Sequence, residues 1–255
     1  EPRDADRGLQ AAQPMSSKEG AGQPILAHIH SAPELWWLRL KALCFMVLSQ
    51  VVMCLTGVIG VLAHLFTFGR ARRFCLNTLG PAGARFLLWT IGIRVVFVGF
   101  EDVPEPCIVV GNHPSGLDIL IITLMPVSNL RSFLSRWLKV YLPLGLNGWC
   151  NGTIFTPPQR FPEARVRCFQ DAEARLRASG DSCFLSVEGR RWTGPGVGPF
   201  NKGALHLATA LQWPIVPIYI DIPDRISPGV GFLTRPGTVH VYARPPIDTT
   251  EWRVE

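Results

Sequence analysis

The sequence predicts an α/β fold: a mostly parallel or mixed sheet covered by helices, preceded by an N-terminal membrane-embedded helical segment. Three observations predict it. Residues 42 to 69 carry no formally charged side chain, a run longer than the roughly 20 apolar residues a helix needs to cross a hydrocarbon core. From residue 95 onward, short β-branched runs alternate with helical patterns, the texture of strands covered by helices. The 255 residues are 47% hydrophobic and only 17% charged, with a mean hydropathy of +0.21. That balance excludes a disordered or collagen-like chain and is high for a purely soluble one.

Length allows one substantial domain plus an appendage, not several independent enzymes. Residues 1–34 are rich in Ala, Gly, Pro and Gln without an apolar period and are expected to form a flexible tail. Residue 1 is glutamate, so the sequence reads as a fragment or as one with a misassigned start, Met15 being the other candidate. The apolar stretch begins too far in, and runs too long, for a cleavable signal.

Residues 35–94 are expected to form a membrane-associated helical segment. Trp36 and Trp37 open it, where indole rings favour the headgroup layer, and Arg39, Lys41, Arg70, Arg72 and Arg73 flank it as phosphate contacts. Gly57 and Gly60 offer a second arrangement, a hairpin lying in one leaflet; a further apolar stretch, Phe86 to Val98, is interrupted by Arg94. Residues 95–255 are expected to form the α/β domain. Val95–Val98, Cys107–Val110, Gly152–Thr156, Cys183–Val187, Ile215–Ile220 and Thr238–Tyr242 read as strands, and Leu117–Leu124, Pro162–Ala178 and Gly203–Gln212 as helices.

A net charge of +6 (25 Lys+Arg against 19 Asp+Glu) points to anionic partners. Nucleic acid is a poor fit, because the basic residues are neither clustered nor interleaved with stacking aromatics. The seven cysteines form no CxxC pair, which argues against a zinc ribbon or redox motif and for free thiols in a reducing compartment. No metal-ligand set is expected.

The most specific segment is Cys107-Ile-Val-Val-Gly-Asn-His-Pro-Ser-Gly-Leu-Asp118. A buried strand runs into Gly111-Asn112, and Pro114 suits the first turn of a helix. His113 then stands at the carboxyl end of a strand, where open α/β sheets gather ligands. Five helical residues would set His113 and Asp118 about 140° apart. If His113 instead precedes the helix, the carboxylate can reach back, fix the imidazole tautomer and leave the other nitrogen free to take a proton. There is no GxSxG motif, so such a pair most naturally activates a hydroxyl on the substrate.

Two further constellations follow. Phe184-Leu-Ser-Val-Glu-Gly-Arg-Arg-Trp192 ends an apolar strand in Glu188-Gly189 and two guanidinium groups suited to phosphate. The Gly194–Gly203 stretch resembles a phosphate loop but has no GK[ST], which excludes a P-loop nucleotide triphosphatase. Asn151-Gly-Thr-Ile-Phe-Thr-Pro-Pro-Gln-Arg160 places an arginine shortly after a strand and contains an Asn-Gly-Thr sequon, expected to stay bare on a cytosolic domain.

Taken together these boxes resemble the glycerophospholipid acyltransferase family, of the lysophosphatidic acid and glycerol-3-phosphate acyltransferase type. Its NHxxxxD box resembles Asn112-His113-Pro-Ser-Gly-Leu-Asp118; its GxxFxxR-like box, Gly152-Thr-Ile-Phe155 with Arg160; its EGTR box, Glu188-Gly-Arg-Arg191; its last strand, Trp213-Pro-Ile-Val-Pro-Ile218. The resemblance covers roughly residues 40–250. It implies that His113 acts as general base on the acceptor hydroxyl, which attacks an acyl-CoA thioester, and that Asp118 orients the imidazole. It also implies acceptor-phosphate binding by Glu188, Gly189 and Arg191, with Arg160 matching the second box and Lys202 lying in the family-like Gly198–Ala204 stretch. Arg190 replaces the usual threonine, Val187 a common proline, and Arg160 lies about two residues farther from Gly152 than the pattern expects.

The resemblance thus implies a membrane-bound enzyme that moves an acyl group from acyl-CoA, a co-substrate rather than a cofactor, to 1-acyl-glycerol-3-phosphate, giving phosphatidic acid. Its partners are a lipid membrane, acyl-CoA and a phosphorylated glycerolipid. The membrane is expected to be endoplasmic reticulum in a eukaryote or the cytoplasmic membrane in a bacterium, with the catalytic domain in the cytosol. Other readings are glycerol-3-phosphate or another lysophospholipid as acceptor, a catalytically silent lipid-binding relative, and an acyl-thioester hydrolase.

Overall fold

The computed structural model describes residues 32–189, 198–227 and 233–253. Helix α1 (Ala32–Phe66) runs unbroken through Gly57 and Gly60, so the hairpin arrangement does not occur. The glycines serve close packing instead. A Cβ on Gly60 would stand 2.8 Å from Cys150 Sγ, and one on Gly57 would stand 3.2 Å from Leu146 Cβ. One face of α1 is bare: Leu43, Val47, Val51, Leu55, Val58, Leu62 and Leu65 are all exposed. Over Pro33–Phe66 it is long and apolar enough to cross a membrane, and only 11% of its most apolar window is buried.

After α1 come α2 (Arg72–Phe74), a π-helical turn (Cys75–Leu79) and α3 (Gly80–Thr90). The apolar run Phe86–Val98 therefore divides into the end of α3 and the first strand, β1 (Ile93–Val98), with Gly92 at φ +69° between them. Then follow β2 (Ile108–Gly111), α4 (Asp118–Thr123), β3 (Arg131–Ser135), α5 (Leu142–Asn151) and β4 (Ile154–Thr156). The chain continues through α6 (Pro162–Ser179), β5 (Cys183–Ser186), α7 (Gly203–Leu211), β6 (Ile215–Asp221) and β7 (Gly237–Ala243).

The seven strands form one mixed sheet in the order β1-β7-β6-β2-β5-β3-β4. All pairs are parallel except β6–β7. Strand alternation assigns each face its own core. Val109, Phe184, Val216 and Ile218 pack with Leu87, Leu88 and Ile121 of α3 and α4. Ile108, Cys183, Leu185 and Ile215 pack with Ala172 and Leu176 of α6 and Leu207, Ala208 and Leu211 of α7. Burial on both faces explains why β2, β5 and β6 read as near-continuous apolar runs. It also puts the carboxyl ends of β2 and β5 side by side, Gly111 opposite Ser186.

Candidate active site

Beyond Gly111 the chain leaves β2 as an irregular loop, and α4 starts only at Asp118. Pro114 therefore lies in the loop rather than in the first helical turn. The loop is fixed by its neighbours: Asn112 Nδ2 donates to Ile220 O (3.0 Å) and Asn112 Oδ1 accepts from Ile220 N (2.8 Å). Ser115 Oγ pairs with Ser227 Oγ at 3.2 Å and accepts from Leu117 N.

Within this frame His113 Nδ1 lies 2.5 Å from Asp118 Oδ2. The same carboxylate oxygen accepts from Ser115 N at 3.2 Å. An ionised carboxylate only accepts, so Nδ1 carries the shared proton and Nε2 is the basic nitrogen. Asp118 is 1% exposed and His113 35%; the acid is sealed while the imidazole opens onto a cleft of about 550 Å³.

Glu188 is the second structural centre. It follows β5 and is buried. Its Oε2 accepts from His113 N (2.8 Å) and its Oε1 from Gly198 N (2.7 Å). One carboxylate thus ties the histidine loop to the segment leading into α7, through charge-assisted bonds. Gly189 sits at φ +66°, and a Cβ there would come within 2.6 Å of Asn201 Nδ2. Asn201 in turn bonds Val187 O through both its backbone N and its Nδ2, and accepts from Gln159 Nε2.

His113, Glu188 and Gly189 line this one cleft together. Arg160 does not join them. It lies beyond Pro157-Pro158, stacks 5.0 Å over the Phe161 ring and lines a different cleft. Lys202 is exposed at the N-terminal edge of α7 and is absent from the lining, although Asn201 and Gly203 on either side belong to it. Successive residues entering a helix point about 100° apart, so flanking residues need not share a wall. Arg190 and Arg191 lie outside the described residues.

Among the described residues, the cation that does line the dyad cleft is Arg165, in the first turns of α6. Its Nη1 donates to Pro157 O at 3.0 Å, and its guanidinium lies 5.9 Å from the Phe169 ring centroid. In the sequence Arg165 is one of eight Lys/Arg between residues 160 and 202, and no local pattern marks it as the one that faces this cleft. Phe133, Leu134, Trp137 and Phe169 give the same cleft an apolar wall.

Among the described residues, one other cluster offers metal-type ligands: His64, Cys75 and Cys150, whose ligand atoms lie within 4.8 Å of one another. His64 Nε2 is engaged with Cys150 O at 3.0 Å, and burial pushes the Cys150 thiol up to about 11. The thiols are thus held protonated, in a helix-packing contact among α1, the π turn and α5.

The family model described as Acyltransferase matches residues 94–221. The chain is 29% identical over 217 residues to a chloroplastic 1-acyl-sn-glycerol-3-phosphate acyltransferase of Brassica napus, covering 82% of this chain and 61% of that protein. It is 31% identical over 161 residues to the alpha form of mouse 1-acyl-sn-glycerol-3-phosphate acyltransferase, covering 62% of this chain and 56% of the mouse protein. This chain thus spans about six-tenths of the length of these relatives. The crystal structure of the 1-acyl-sn-glycerophosphate (LPA) acyltransferase PlsC from Thermotoga maritima superposes with a TM-score of 0.71 at 22% identity, over 86% of this chain and 89% of that one, and so shares the fold. The matched segment runs from β1 through β6 and contains the His113–Asp118 pair, Glu188 and the cleft they border; this chain belongs to the acyltransferase family.

Proposed function

We propose that the protein transfers a fatty acyl group from an acyl thioester, acyl-CoA, to the free hydroxyl of 1-acyl-glycerol-3-phosphate, giving phosphatidic acid at a membrane surface. The observation that carries this reading is the His113–Asp118 pair: a sealed carboxylate on Nδ1 and an accessible Nε2 at the carboxyl end of β2. Nε2 takes the proton of the acceptor hydroxyl as its oxygen attacks the thioester carbonyl. The tetrahedral intermediate collapses with cleavage of the C–S bond, and the imidazolium returns its proton to the departing thiolate. Asp118 stabilises the transient imidazolium without itself being protonated. General base catalysis of this kind contributes about 10²- to 10⁴-fold, enough for an already activated thioester.

Arg165 and the Arg190–Arg191 pair supply charge for the acceptor phosphate, while Phe133, Trp137 and Phe169 supply apolar contact for acyl chains. Helix α1 holds the domain at the bilayer, so a lipid acceptor enters without crossing water, which would cost about 0.8 kcal/mol per CH₂. The test incubates membranes carrying the protein with labelled acyl-CoA and a panel of glycerol-3-phosphate, 1-acyl-glycerol-3-phosphate and other lysophospholipids. Acylation of 1-acyl-glycerol-3-phosphate, lost in His113→Ala, is expected. Acyl release of equal size without acceptor, or full activity in His113→Ala, overturns the reading.

A further inference from the structure

A second, larger cleft of about 1120 Å³ lies across β4 from the dyad cleft, between α5 and α6, and the two meet at Pro157. Its lining holds seven Lys/Arg and only two acids. One of the acids, Glu163, already pairs with Arg167 at 3.5 Å. The other cations, Arg72, Arg131, Arg136, Lys139, Arg160 and Arg175, come from five separate stretches of chain that only the fold brings together.

The centre of this cleft is electrostatically unbalanced. Arg131 is 3% exposed and is paired through Nε and Nη2 with the equally buried Asp181. Arg72 stands beside it: a Cβ on Gly152, which sits at φ +66°, would be 2.9 Å from Arg72 Nε and 3.4 Å from Arg131 Nη1. Arg72 Nε is sheltered from solvent and has no hydrogen-bond partner. Burial and the neighbouring Arg131 push its pKa down. A buried donor with no acceptor, next to a like charge, costs free energy that an entering anion recovers. A guanidinium presents a planar fork of donors that matches phosphate oxygens.

We propose that this cleft is a phosphate-binding site distinct from the dyad cleft, taking a ligand with clustered phosphate charge. Two sources carry that chemistry. One is the nucleotide end of coenzyme A, whose pantetheine arm would pass Pro157 toward His113; this source rests on the proposed reaction. The other is an anionic lipid headgroup, since Arg72 follows the end of α1 by six residues and the exposed Trp149 borders the cleft.

The experiment uses the full chain in neutral-detergent micelles and the triple variant Arg136→Ala/Lys139→Ala/Arg175→Ala, whose three side chains are exposed and leave the core intact. Arg72→Gln, as a single change, probes the unbalanced centre. Each is titrated with free coenzyme A, and each is mixed with phosphatidylcholine vesicles with and without phosphatidylglycerol. Loss of coenzyme A affinity by tenfold or more in both variants, with vesicle binding unchanged, assigns the nucleotide end. Loss of the preference for phosphatidylglycerol, with coenzyme A binding unchanged, assigns the headgroup; loss of both assigns a shared site. Unchanged affinity for both probes overturns the proposal. Binding is also read in His113→Ala, where chemistry is removed, so a failed dyad reading leaves this result interpretable.

Discussion

Asp118 Oδ2 reaches His113 Nδ1 at 2.5 Å because the four residues between them, 114–117, are a loop closed by Ser115, not a turn of helix. The helix begins at the acid. A carboxylate in a first turn is also favoured by the helix dipole, so one position serves both local stability and the imidazole.

Asp118→Asn replaces an oxygen that accepts from His113 and Ser115 with a group that favours the wrong imidazole tautomer. The turnover number is expected to fall by about 10²-fold or more, with acceptor KM changing little, because the loss falls on proton transfer. Initial-rate kinetics on purified variant and parent check this.

Glu188→Gln gives one of two backbone N–H groups, His113 N or Gly198 N, an amide donor instead of an oxygen. A loss of about 2 kcal/mol is expected, the scale of a hydrogen bond to a charged group. Chemical unfolding in detergent measures it, and a midpoint equal to that of the parent would refute the bridging role.

Gly189→Ala and Gly180→Ala make an informative pair. Both glycines have positive φ, +66° and +65°, but a Cβ at 180 meets nothing within 4 Å, whereas at 189 it collides with Asn201. Gly180→Ala should cost only the left-handed backbone penalty of about 1–2 kcal/mol. Gly189→Ala should cost more and lower activity as well, which parallel melting and rate measurements will show.

Asp181→Ala strands the buried Arg131 guanidinium. Removing one partner of a buried pair costs about 3–5 kcal/mol, so the variant should unfold at distinctly lower denaturant concentration. Replacing both residues with apolar side chains of similar volume should recover much of that stability.

Stability should also fall in alkali. Burial pushes the Cys107 thiol up to about 11 from 9.0. A group whose folded pKa is raised contributes stability below its unfolded pKa and loses it as pH rises through the folded one. The loss from Cys107 therefore falls between about pH 9 and 11, and Cys107→Ala should flatten the pH dependence of the unfolding midpoint over that window.

Much of the fold was legible in the chain itself. The strand at Cys107–Val110, for example, is an unbroken apolar run because both its faces are covered. Two elements were not. β3 (Arg131–Ser135) carries a buried arginine and two serines, and its pairing comes wholly from β4 and β5. α5 (Leu142–Asn151) contains Pro143, Gly145 and Gly148, which argue locally against a helix. Its packing on α1 and β4 needs the missing side chains: a Cβ on Gly148 would stand 2.5 Å from Phe155 Cζ.

The sequence alone determined the chemistry available: an apolar helix, a histidine with an acid five residues on, and an acid just after the later strand that begins at Cys183, all encoded by local pattern and order. Only the tertiary structure decided which cations stand beside which group. Arg165 enters the dyad cleft, while Arg160 goes to the basic one. Charge sign is written in the residue, but its direction is set by turns such as Pro158–Phe161 and by the partners that side chains find in the fold.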